Sequence, residues 1–101
     1  MLLPMQPIPS VVSSLTDRQR LVCLLVANGE LDKCIASLLD ISQRTVELEK
    51  QRIASNLGIP TPRLLIWAVE NRRVLQAEVN WVGVSDSVRK LVAPNCLGEW
   101  G

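Results

Sequence analysis

From residue 15 onward, apolar positions gather in clusters separated by short polar breaks, and the breaks carry residues that start or stop helices. Leu15-Thr16-Asp17-Arg18-Gln19 reads as the first start. Thr16 is a good N-cap, Gln19 three residues on completes a capping box, and Leu15 stands where an apolar residue staples the chain entry. The helix expected there runs from Asp17 to about Ala27, with Leu21, Val22, Leu24, Leu25 and Val26 as its apolar surface. Asn28-Gly29 stops it, because both residues tolerate a left-handed cap. A second, shorter helix is predicted over about Asp32 to Leu39, with Ile35, Ala36, Leu38 and Leu39 facing inward. Asp40-Ile41 makes a tight turn, and Ser42 caps a third helix from Gln43 to about Leu57. Its apolar residues Val46, Ile53 and Leu57 fall at roughly helical spacing, and Gly58 ends it.

A fourth helix opens at Thr61-Pro62, where the missing proline N–H costs nothing in the first turn. Leu64, Leu65, Trp67, Ala68 and Val69 give it a broad apolar surface, and it ends either near Arg72-Arg73 or as late as Val79. Ser85 can cap a short helix through Leu91 that Pro94 would end. At the other terminus, Pro4, Pro7 and Pro9 block helix, so residues 1–14 read as a flexible or extended tail. The pattern predicts an all-α, four-helix domain over residues 15–79, preceded by that tail and followed by an extension at 80–101.

Composition narrows the function. At 101 residues, with 48% hydrophobic and 21% charged, the chain is one globular domain and not a disordered segment. Eleven Lys and Arg against ten Asp and Glu leave a net charge of +1, so any contact with nucleic acid depends on local placement of charge. Histidine is absent, which removes the usual general base and the commonest metal ligand. Cys23, Cys34 and Cys96 form no metal-binding spacing and are odd in number, which suits reduced thiols in the cytoplasm; Cys23 lies among apolar residues and reads as a small core hydrophobe. No Gly-rich phosphate loop and no nucleophile–base pair occur. The apolar start lacks a basic n-region, and no apolar run is long enough to cross a membrane. The expectation is a cytoplasmic protein that is not an enzyme, with no cofactor, no metal and no membrane contact.

Two short helices joined by a tight turn, the second capped by serine, make a helix-turn-helix. The first buttresses the second, whose outer face can enter the major groove, where base edges distinguish all four base pairs. Leu15-Thr16-Asp17-Arg18, Val22, Ala27-Asn28-Gly29, Lys33, Ile35-Ala36, Leu39, Ile41-Ser42, Thr45-Val46, Ile53 and Leu57-Gly58 together resemble the LuxR-type helix-turn-helix domain, over about residues 15–72. The resemblance implies a four-helix DNA-binding fold and a role in bacterial transcription regulation. It also implies a third helix in the major groove of double-stranded DNA and a fourth that forms a homodimer contact.

On that resemblance Lys33 supports a phosphate contact, and Thr45 caps or touches the backbone. Helical spacing puts Arg44, Glu47, Leu48, Gln51 and Ser55 on the recognition face, and Ser42 and Arg52 complete the DNA-binding set. Arg44, Lys50, Arg52 and Lys33 are the phosphate partners. Glu47 can accept from cytosine N4, Gln51 can pair with adenine, and Leu48 can touch a thymine methyl. Leu64, Leu65, Trp67 and Ala68 form the expected dimer interface. Family members usually carry Lys where Glu47 stands, His where Glu49 stands and Glu where Gln19 stands. Glu47–Lys50 and Glu49–Arg52 are expected as solvated i,i+3 pairs of about 0.3 kcal/mol each. The alternative function is a protein-interaction module of the same fold whose DNA binding is weakened or lost, with Glu47 and Glu49 marking that loss. No sensor domain is recognisable, so regulation would come from dimerisation, expression level or a regulatory protein partner.

Overall fold

The computed structural model describes residues 12–94. Among them lie six α-helices: α1 (Asp17–Ala27), α2 (Asp32–Leu39), α3 (Gln43–Leu57), α4 (Leu64–Glu70), α5 (Arg72–Glu78) and α6 (Asp86–Val92), with a 3-10 turn at Thr61–Arg63 before α4. No strand occurs among the described residues, and the fold is all-α as the pattern predicts.

The first helix is the hub. Val22 through Ala27 are all buried, so its second half is apolar on every side, as a helix enclosed by neighbours must be. α4 and α5 pack along it, and α2, α3 and α6 also touch it. Its start is the expected capping box: Gln19 N donates to Thr16 Oγ1 at 3.0 Å, and Thr16 N donates to Gln19 Oε1 at 3.1 Å. α1, α2 and α3 all end in the same motif, a left-handed residue followed by a 6→1 backbone bond. Those residues are Gly29 (φ +85°), Asp40 (φ +59°) and Gly58 (φ +72°). The bonds run from Glu30 N to Leu25 O, Ile41 N to Ala36 O and Ile59 N to Ala54 O, at 3.0–3.1 Å. Asp40 alone holds this conformation with a side chain, which aspartate tolerates better than most residues.

The fourth predicted helix is interrupted. α4 and α5 meet at Asn71, whose φ of −109° and ψ of 17° leave the helical region. Asn71 N and Asn71 Nδ2 both donate to Trp67 O, at 3.0 and 2.8 Å, and Leu75 N donates to Asn71 O at 3.0 Å. The ladder therefore continues through a kink, where a side chain shares the carbonyl with the backbone. α4 thus ends close to the earlier of the two expected ends, and α5 carries helix on to Glu78, close to the later one.

At both edges the packed body reaches further than the predicted domain. Val12 and Ser13 are helical, and Val12 is completely buried; residues 1–11 of the expected tail lie outside the described residues. Arg20 holds this entry in place: its guanidinium donates to Val12 O (3.1 Å), Ser13 O (3.0 Å), Glu78 O (3.3 Å) and Asp17 Oδ1 (2.7 Å). Beyond residue 79, the helix expected from the Ser85 cap is present as α6, and its Val88 and Val92 join the core formed by the other helices. Trp81 Nε1 donates to Gln76 O at 3.0 Å and Gln76 Nε2 to Val92 O at 2.9 Å, so the extension is bonded to α5. Residues 95–101 lie outside the described residues.

No helix among the described residues is long and apolar enough to cross a membrane, and no group of residues there could hold a metal ion. Cys23 is fully buried in α1, and desolvation pushes its thiol up to about 12, so it stays protonated and inert at neutral pH.

Candidate nucleic-acid interface

The geometry of α3 begins at its cap. Ser42 Oγ accepts from Thr45 N at 3.0 Å and lies 2.9 Å from Thr45 Oγ1, so both hydroxyls are engaged at the helix start. Val46, Ile53 and Ala54 then turn inward and are buried. Glu49 lies three residues after Val46 and four before Ile53, so it shares their face and is only 7% exposed.

Two polar links fix the helix on either flank. Toward α1, Glu49 Oε1 accepts from Gln19 Nε2 at 3.1 Å, and Glu49 Oε2 lies 3.7 Å from Arg18 Nε. Toward α2, Lys50 Nζ donates to Asp32 Oδ1 at 2.8 Å. These links replace the expected i,i+3 pairs: Glu49 pairs with Arg18, not Arg52, and Lys50 pairs with Asp32, not Glu47. The reason is tertiary. Both side chains sit where a neighbouring helix offers a closer opposite charge, so the half-buried Lys50 ammonium is already engaged by Asp32.

The opposite side of α3 is open. Arg44, Glu47, Gln51, Arg52 and Ser55 are exposed and Leu48 is half-buried, as helical spacing placed them. Leu48, Gln51, Arg52, Ser55 and Asn56 share a shallow surface depression with Gln19 of α1. Lys33 is exposed in the first turn of α2. Arg44, Arg52 and Lys33 make no ion pair among the described residues. This surface offers cationic donors, an amide that can both donate and accept, a carboxylate acceptor and one apolar contact, which are the groups that read base edges and hold phosphates.

Of the two acids that would mark lost DNA affinity, only Glu47 faces this surface. Glu49 is turned inward and compensated by Arg18 and Gln19. Sequence spacing alone carried the signal, since Glu49 sits at core register with Val46 and Ile53.

The expected dimer residues divide. Contrary to the expected interface, Leu64 (1% exposed) and Ala68 (fully buried) belong to the core, because α4 lies along α1 with that side, and neither offers surface to a partner. Leu65 is exposed and Trp67 half-buried. Ile66 and Val69, which are not among the expected interface residues, are exposed at 53% and 46% and extend the Leu65 surface at helical spacing. α4 is apolar on two sides, and periodicity does not say which side its own domain covers.

The GerE family model, described as bacterial regulatory proteins of the luxR family, matches residues 13–66. No curated protein and no solved structure matches the chain.

Proposed function

The chain belongs to the luxR family of bacterial regulatory proteins, a family of DNA-binding helix-turn-helix regulators, and from that premise we propose that α3 enters the major groove of duplex DNA to control transcription. The observation that carries this reading is the asymmetry of α3. One side is anchored to α1 and α2 by Glu49 and Lys50, while the other presents Arg44, Glu47, Leu48, Gln51 and Arg52 with no described element covering it. On this reading Arg44, Arg52 and Lys33 grip phosphates, Gln51 pairs with adenine, Leu48 meets a thymine methyl and Glu47 accepts from cytosine N4. Ser42 and Thr45 hold the helix start at the backbone. The protein acts in the cytoplasm and does no catalysis.

A homodimer fits the same reading. The exposed Leu65, Ile66 and Val69, with Trp67 beside them, form an apolar surface on α4 suited to a second copy. A two-fold pair would read half-sites about one helical turn apart.

The test is binding to duplex DNA across a range of salt concentrations. A steep loss of affinity with salt supports phosphate contact. A folded protein that binds no duplex at the lowest salt supports the second reading, a protein-interaction module, which the exposed Glu47 favours. Glu47→Lys sharpens the result: if the protein holds DNA through phosphate alone, affinity rises on every duplex, whereas if Glu47 reads a cytosine, the preference for the specific duplex over unrelated ones falls.

A further inference from the structure

We propose, resting on the DNA-binding reading above, that Arg18 is a phosphate-gripping residue on the flank of α3 opposite Lys33. Glu49 and Lys50 are consecutive in α3, so their side chains leave the helix about 100° apart. Glu49 reaches the first turn of α1 and Lys50 the first turn of α2. The open face of α3 is thus bordered by α1 along one edge and by α2 along the other. A helix in the major groove has a sugar-phosphate rail on each side. Lys33, beside Asp32, serves the α2 edge. Arg18, beside Gln19, serves the α1 edge, where Gln19 already shares a depression with Leu48, Arg52 and Asn56.

The bonding state of Arg18 suits that role. Its side chain is 48% exposed, and its one ion pair among the described residues is loose, at 3.7 Å through Nε. Its terminal amines make no hydrogen bond among the described residues, whereas Arg20 in the same turn is 12% exposed and binds three backbone carbonyls and Asp17. A guanidinium carries five donors in a fork, so Arg18 can keep Glu49 compensated through Nε while its terminal amines take a phosphate. The three free cations near α3 then become four, arranged on both rails.

Five proteins test this: wild type, Arg18→Ala, Glu49→Gln, the double variant of those two and Arg18→Lys, each titrated onto duplex DNA over a range of salt, with thermal melts to establish folding. Loss of one phosphate contact lowers the slope of log affinity against log salt by about 0.9, so between about 50 and 200 mM salt the wild type loses roughly 3.5-fold more affinity than Arg18→Ala. The loss is the same on specific and unrelated duplexes. Glu49→Gln removes the carboxylate that a merely structural Arg18 would serve, and adding Arg18→Ala there still takes away the same slope. Arg18→Lys restores it. An unchanged slope in both backgrounds overturns the proposal and leaves the DNA-binding reading intact. A wild-type protein that binds no duplex overturns that reading itself.

Discussion

Residues 16–58 and residues 61–94 are held by different kinds of bonds. In the first stretch the helices carry most of their own terminal contacts. Thr16 and Ser42 cap starts from within the first turn, and Gly29, Asp40 and Gly58 close the ends through bonds to the same helix. In the second stretch, α4 and α5 have no side-chain caps. Their region is fixed by side chains that reach a distant backbone carbonyl: Arg72 to Ala27 (3.2 Å), Arg20 to Glu78 (3.3 Å), Gln76 to Val92 (2.9 Å), Arg89 to Trp81 (2.6 Å). The first stretch holds the reading surface on helices with local definition. The second, apart from the Ser85 cap of α6, is fixed mainly by contacts with residues far along the chain.

Four variants probe that contrast, from the largest effect downward. Leu75→Ala empties a fully buried site in α5 and should cost about 3 kcal/mol, read by urea unfolding. The whole domain should unfold in one transition, because α5 packs on α1; two separate transitions would mean the halves are independent. Arg20→Ala removes the bonds to Val12, Ser13, Glu78 and Asp17 and should cost about 2 kcal/mol, with proteolysis opening first at the residue 12–16 entry. A loss no larger than that of an ordinary surface arginine would remove its place as the tie between the stretches. Thr16→Ala breaks one capping bond and should cost about 1 kcal/mol. Its effect should be confined to amide exchange in the first turn of α1, and accelerated exchange throughout α5 would contradict the local character of the first stretch. Asp40→Gly relieves a left-handed residue and should raise stability by about 0.5 kcal/mol, net of the added freedom of the unfolded chain. A drop in the melting temperature would show that the Asp40 side chain contributes more than its backbone conformation costs.

The same contrast explains which features are legible in the sequence. α1 and α3 begin where Thr16 and Ser42 say they should, and all three helices end at Gly29, Asp40 and Gly58, because a cap is written within four residues of the backbone it serves; α2 starts after Leu31 with no side-chain cap. The outward set on α3 was also legible, since only one face of that helix is apolar. The pairing of Glu49 and Lys50 was not. Nearby charges at i,i+3 invite a local reading, and only the packing of α3 against two neighbours shows that Arg18 and Asp32 win. On α4 the choice between Leu64 and Ala68 on one side and Ile66 and Val69 on the other rests on where α1 lies, which no window of sequence contains. The buried Val12, Val88 and Val92 escaped for the same reason: the prolines before Val12 and the short spans around α6 hide residues that pack on helices far along the chain.

Gln19 has a consequence for how this sequence can change over generations. Its amide accepts from Thr16 with the oxygen and donates to Glu49 with the nitrogen, so one side chain answers to two elements at once. An acid at position 19 would keep the first role and set two negative charges against each other in the second. Drift at 19 and drift at 49 are therefore tied, and relatives in which both positions vary freely of one another would show that no such tie exists. Lineages should exchange Gln19 and Glu49 as a unit or leave both alone.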